Sequence, residues 1–201
     1  MIEEHYRAVL QPSIDRICRH LPSALTADHL TLCALVVGLA AGCALAYGHL
    51  IVGCILIWIS GLCDVLDGTH ARLTRTMHPK GAYKDLIADR IVESAIILGF
   101  AVRYPEHHMA YLLFVICVLL HFSTFLAAAA LMPNLGNKSV HYEHTLIERC
   151  EAFIGFSLLC LFPQQIGSIL TVLNLLIVYT AATRFIRVMH MQQQEPDEKT
   201  V

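Results

Sequence analysis

Residues 64–89 read DVLDGTHARLTRTMHPKGAYKDLIAD. Asp64, Asp67, Asp85 and Asp89 share this stretch with Arg72, Arg75, Lys80 and Lys84, and an apolar run abuts it on each side. A carboxylate beside lipid is costly and needs a partner. Whether these four aspartates have a common partner depends on what the flanking runs are.

The flanks read as membrane spans. Of the 201 residues 56% are hydrophobic and only 15% charged, more apolar than a water-soluble domain of this size. The apolar residues cluster in six stretches: Leu30–Ala46, Leu50–Leu66, Leu86–Val102, Met109–Met132, Ile147–Phe162 and Ile166–Val188. A helix needs about 20 residues to cross about 30 Å of hydrocarbon. The runs are too long, and alternate too little, for strands. The pattern predicts an all-α integral membrane bundle of six transmembrane helices spanning residues 1–190, without internal repeat. Residues 191–201 are a polar tail, predicted to be disordered.

The basic residues orient the bundle. With the N-terminus inside, the cytoplasmic segments carry thirteen of the fourteen Lys and Arg, and the outer segments only Arg103. Cytoplasmic loops should be the basic ones, so both termini and the aspartate stretch are placed in the cytoplasm, at the cell inner membrane if the source is bacterial. Residues 1–28 are no signal peptide, being charged and without a continuous apolar core. Tyr6, Val9, Leu10, Ile14 and Ile17 recur at roughly helical spacing among Arg7, Arg16 and Arg19, the pattern of an amphipathic interfacial helix or, failing that, a solvated lead-in.

Several other features carry little chemistry. A net charge of −2 gives no reason to expect nucleic acid. Eight cysteines occur without a C-x-x-C; Cys33, Cys43, Cys54, Cys117 and Cys160 lie within apolar runs and read as small packing residues. His141 and His144 are spaced H-x-x-H but in a loop, a poor zinc signal. His121 reads as a satisfied bundle histidine, and His107 and His108 as an outer-loop pair.

The aspartates themselves are spaced for convergence. Asp64 and Asp67 are three apart at the end of the second run, and Asp85 and Asp89 four apart at the start of the third, so each pair shares a helix face. Two helices joined by one loop should be antiparallel neighbours, bringing four carboxylates together. Such a set would repel strongly unless one or two divalent cations sat among them. Oxygen-only ligands favour Mg²⁺, Mn²⁺ or Ca²⁺. Any one aspartate could simply pair with Arg72, Arg75, Lys84 or Arg90; four at this spacing ask for more. Gly68 and Ala71 make a flat surface between them, Arg72 offers a fork of donors suited to phosphate, and Gly81 allows close helix approach or a turn. Metal, small-residue surface and arginine together describe a diphosphate site at the level of lipid headgroups. Glu93, one turn beyond Asp89, calls for a partner of its own.

The spacing D-x2-D-G-x2-A-R-x8-G-x3-D-x3-D, met here by Asp64, Asp67, Gly68, Ala71, Arg72, Gly81, Asp85 and Asp89, resembles the signature of the CDP-alcohol phosphotransferases. "LTADHLTL" sits where members often have "PNxLT", with Thr31 matching the threonine and Asp28 and His29 replacing the proline and asparagine. The resemblance implies six transmembrane helices, a cytoplasm-facing site, commonly a homodimer, and transfer of a phospho-alcohol group from CDP-diacylglycerol or another CDP-alcohol to a small alcohol acceptor with release of CMP. It implies that Asp64, Asp67 and Asp85 bind Mg²⁺ or Mn²⁺, that Asp89 binds metal and acts as the base, and that Thr31, Gly68, Ala71 and Arg72 contact the CDP portion. Spacing alone would not choose Asp89 over Asp85 as base.

Arg149, in an E-R segment similar to one before the fifth helix of members, is a candidate phosphate contact or an interfacial anchor. Arg184 and Arg187 are candidates for holding a phosphorylated acceptor, or for contacting anionic lipid and the helix end. Members of the glycerophosphate branch often carry an arginine early in the first span; Leu30–Ala46 has no charge, which leans the acceptor toward an inositol-type or other polyol. The competing reading is a small divalent-cation transporter, but transport sites usually lie near the bilayer midplane, and that reading gives Gly68, Ala71 and Arg72 no role.

Overall fold

The computed structural model describes residues 2–22, 25–131 and 149–192. These residues form seven α-helices in order: α1 (Ile2–Arg19), α2 (Ala27–Ala46), α3 (Leu50–Leu73), α4 (Pro79–Arg103), α5 (His108–Leu131), α6 (Arg149–Leu161) and α7 (Ile166–Gln192). Short 3-10 turns precede α5 and α7, and no strand occurs among the described residues. His141, His144, Lys138 and residues 193–201 lie outside them.

Among the described residues, four helical segments are long and apolar enough to cross a membrane: Ala27–Ala46, Leu50–Leu73, Pro105–Leu131 and Pro163–His190. The other two predicted spans differ for identifiable reasons. α4 has 25 residues, but its first fifteen include Lys80, Lys84, Asp85, Asp89, Arg90 and Glu93, which lowers its hydropathy. α6 has 13 residues, about 20 Å of helix, and the run expected to begin at Ile147 starts outside the described residues.

The chain punctuates these helices locally. Thr26 caps α2: its hydroxyl accepts from His29 N–H, and His29 Nδ1 accepts from Thr26 N–H. His29, expected where members carry an asparagine, thus closes a helix end. Gly48, at φ 83°, turns the chain between α2 and α3 in the left-handed region that suits glycine. Its α-carbon faces Arg103: a β-carbon there would lie 2.8 Å from Arg103 Nε. The α2–α3 turn and the end of α4 are therefore at one end of the bundle.

The main correction concerns neighbours. α3 and α4 were expected to pack on each other; instead α2 packs along both, and they make few close backbone approaches to one another. Small residues of α2 make this possible. A β-carbon on Gly42 would lie 2.5 Å from Ala95 O of α4, one on Gly99 would run into Gly42 O, and one on Gly38 into Val92. Ser60 Oγ of α3 donates to Ala34 O of α2 at 2.7 Å. A second pair, α5 with α7, joins through α6 and an apolar core that includes Ile57, Ile96, Phe100, Phe114, Phe156 and Leu170. α1 lies against α3, where Cys18, Leu30 and Leu66 pack together with Ile14 and Leu21.

Candidate active site

The signature residues fall on helix, not loop. α3 runs seven residues past the apolar run that ended at Leu66, so Asp64, Asp67, Gly68, Ala71 and Arg72 all follow one helical repeat. α4 begins at Pro79 with His78 as its N-cap, so Gly81 lies in its first turn. His78 Nδ1 accepts from Gly81 N–H at 2.8 Å, and a β-carbon on Gly81 would lie 3.1 Å from His78 Cε1. The glycine gives the capping ring its place.

Asp64, Asp67 and Asp85 converge. One carboxylate oxygen from each lies within 4.8 Å of the other two, with Asp64 and Asp67 buried and Asp85 half-buried. Three carboxylates in so small a volume need positive charge among them, and a set of oxygens alone fits a hard divalent ion. Asp89, expected as a fourth ligand, falls outside this trio. It lies one turn deeper along α4 and lines, with Asp64, Ser60 and Glu93, a small cavity of about 40 Å³. Thr31 reaches in from α2: its hydroxyl lies 2.5 Å from Asp67 Oδ2 and 3.1 Å from Ala27 O. Through that contact α2, the helix between the other two, fixes one carboxylate.

A larger cavity of about 480 Å³ opens beside the trio. Thr31, Asp67, Gly68, Ala71, Arg72 and Asp85 line it, and Asp28 and His78 stand at its edge. Asp28 pairs with Lys84, tying α2 to α4 across the mouth. Arg72 is exposed, with Nη2 donating to Thr69 Oγ1 at 2.8 Å, a bond that holds the guanidinium against its own helix. A β-carbon on Gly68 would meet only Arg72 Nη1, at 3.5 Å, an ordinary contact. The cavity thus has carboxylates on one wall, a guanidinium on another, and a bare backbone between them. It can take a diphosphate.

The remaining candidates are placed less uniformly. Arg90 Nη2 donates to Glu93 Oε1 at 2.6 Å, so the partner of Glu93 comes from its own helix rather than a neighbour. Arg184 is buried; its Nη1 donates to His121 O (3.1 Å) and Thr124 Oγ1 (3.3 Å), and its guanidinium lies over the Phe125 ring. It ties α7 to α5. Arg187, one turn on, is exposed. The side chain of Arg149 lies outside the described residues. His121 differs from the satisfied histidine expected: its buried Nδ1 has no hydrogen-bond partner among the described residues, and Arg184 donates to its backbone carbonyl rather than to the ring.

Comparison with known proteins bears on the chain as a whole. A family model described as CDP-alcohol phosphatidyltransferase matches residues 19–186. The inner membrane protein YnjF of Escherichia coli is 30% identical over 195 residues, covering 92% of this chain and 93% of that one. An archaetidylinositol phosphate synthase of Methanothermobacter thermautotrophicus is 38% identical over 94 residues, 47% of each chain. Among solved structures, the Mycobacterium tuberculosis phosphatidylinositol phosphate synthase with CDP-diacylglycerol bound superposes with a TM-score of 0.72 at 22% identity, covering 94% of this chain and 97% of that one. The same enzyme in complex with manganese and citrate gives the same score. At that identity the likeness is one of fold.

Proposed function

The chain belongs to the CDP-alcohol phosphatidyltransferase family, and we propose that it moves the phosphatidyl group of CDP-diacylglycerol to an inositol-type polyol phosphate, releasing CMP. It is an enzyme of phospholipid synthesis. The observation that carries the reading is the convergence of Asp64, Asp67 and Asp85 beside a cavity walled by Thr31, Gly68, Ala71 and Arg72. The donor is inferred from the solved neighbour that binds CDP-diacylglycerol. The acceptor is inferred from the uncharged first span and from the names of two relatives, both inositol phosphate lipid synthases.

Asp64, Asp67 and Asp85 would hold Mg²⁺ or Mn²⁺, with Asp89 completing a second ion's shell. Bound there, the metal supplies positive charge to diphosphate oxygens. The chain's own residues do the rest. The bare helix surface at Gly68 and Ala71 lets the CDP portion lie against the backbone, and Arg72 donates to phosphate oxygens where charge gathers as CMP leaves. Thr31 keeps Asp67 oriented. Asp89 takes the proton from the acceptor hydroxyl. The acceptor oxygen then bonds to the phosphorus bearing diacylglycerol, and the bond from that phosphorus to the bridging oxygen of CMP breaks. Arg149 and Arg187 hold the acceptor's phosphate, while Arg184, already engaged with α5, keeps α7 in place for them.

The bundle completes six crossings with α4 and α6, keeps both termini in the cytoplasm, rests α1 on the membrane surface, and pairs as a homodimer, as the family resemblance implies. The test is CMP release by the purified protein from CDP-diacylglycerol, with inositol phosphate, inositol, glycerol 3-phosphate and serine offered in turn. Release should need Mg²⁺ or Mn²⁺, stop with EDTA, and fall on the order of a thousandfold in Asp89→Asn while that variant still binds CMP. Full turnover by Asp89→Asn would remove it as the base. No release with any acceptor would sink the transferase reading.

A further inference from the structure

Cys33 and Cys63 meet where α2 packs on α3. Cys33 is exposed on the outward face of α2, and Cys63, on α3, is half-buried beside it. Their sulfurs are 3.8 Å apart, with the Cys63 thiol directed at Cys33 Sγ. Each is next to a residue of the site: Cys33 follows Thr31 by two positions, and Cys63 precedes Asp64. Cys33 lies within an apolar span, so its exposed side faces acyl chains.

We propose that Cys33 and Cys63 form an oxidisable dithiol site whose closure to a disulfide, driven by a lipid hydroperoxide from the surrounding bilayer, slows phosphatidyl transfer. The chemistry balances in two steps. The exposed Cys33 sulfur takes the terminal oxygen of the hydroperoxide, giving a sulfenic acid and the lipid alcohol. The Cys33 thiol proton goes to the lipid alcohol; the Cys63 sulfur then displaces the sulfenic oxygen, which leaves as water with its own hydrogen and the Cys63 thiol proton, and the S–S bond forms. Overall, one hydroperoxide and two thiols give one disulfide, one alcohol and one water. The bond requires the sulfurs to close from 3.8 Å to about 2.05 Å. The movement falls on α2 and α3 at the level where Thr31 holds Asp67 and where Asp64 projects. A shift of that size at a carboxylate set is enough to spoil alignment.

The slowing part rests on the transferase reading; the cross-link does not. The protein in liposomes is treated with linoleic acid hydroperoxide, digested and mapped by mass spectrometry, and CMP release is followed before and after dithiothreitol. The expected result is a Cys33–Cys63 linked peptide pair, a fall in CMP release on the order of tenfold, and recovery on reduction. Cys33→Ser and Cys63→Ala should each keep their CMP release under the same treatment. Absence of the linked pair, formation of the pair with undiminished release, or equal loss of activity in the two variants would each overturn the proposal. If untreated protein releases no CMP, the transferase reading fails instead, and the peptide map still decides whether the thiols join.

Discussion

Gly68 and Gly81 are both fixed positions of the signature, yet the protein asks different things of them. At Gly81 a β-carbon would press on the His78 ring that caps α4; the protein itself occupies that space. At Gly68 a β-carbon would meet nothing closer than Arg72 Nη1 at 3.5 Å, so folding alone would tolerate alanine there. Alanine is also the better helix former by about 1 kcal/mol. The glycine is therefore kept for whatever lies in the cavity. Gly68→Ala should leave the thermal midpoint unchanged or slightly raised, while KM for CDP-diacylglycerol rises on the order of tenfold or more. Thermal unfolding in detergent beside a donor titration checks both halves; an unchanged KM would mean that no substrate touches this backbone. The sequence spacing identified both glycines but could not separate their roles, since that depends on which atoms lie opposite each.

The helices were legible in the sequence where apolar runs are uninterrupted, and less so where charge begins. Leu50–Leu66 marks the lipid-facing part of α3, but the helix continues to Leu73 because HARL, at its end, has no breaker and Thr74 is its first natural stop. The pairing of α2 with both α3 and α4 was harder to read. Gly38 and Gly42 form a small-x-x-x-small pattern that signals close helix approach, but nothing in the order of the chain says that Gly99 and Ala95 are the partners. Once they are known, the consequence is specific. A methyl at Gly99 would press on the Gly42 carbonyl and lie 3.0 Å from Leu45 Cβ, a backbone atom and a β-carbon that cannot rotate away. Gly99→Ala should destabilise the bundle by about 1–3 kcal/mol, against the helix-propensity gain that the same change brings elsewhere. It should also lower CMP release, since α2 carries Thr31 to Asp67. The comparison with Gly68→Ala separates the two effects: one glycine serves the fold, the other the cavity.

Across the whole molecule, charge and geometry divide the two ends in the same way. Asp28–Lys84, Arg16, Arg19, Arg72, Arg75 and the carboxylate trio gather at one end. Arg103 packs at Gly48 and over the Tyr104 ring at the other. Cytoplasmic segments carry the excess of Lys and Arg in membrane proteins, and the orientation proposed above puts the carboxylate end there. Met77, in the α3–α4 connection and exposed, marks the site end; Glu106, in the 3-10 turn before α5, marks the other. In a variant whose native cysteines are replaced, a single cysteine at position 106 should react with a membrane-impermeant maleimide in intact cells. One at position 77 should react only after the membrane is opened, and pre-bound CMP with Mn²⁺ should then slow its labelling, because Met77 lines the cavity. Labelling at 77 in intact cells would put the carboxylates on the outer face, away from any CDP-linked donor. The thirteen-to-one charge count would then have a cause other than topology, and the transferase reading would lose the side of the membrane it depends on.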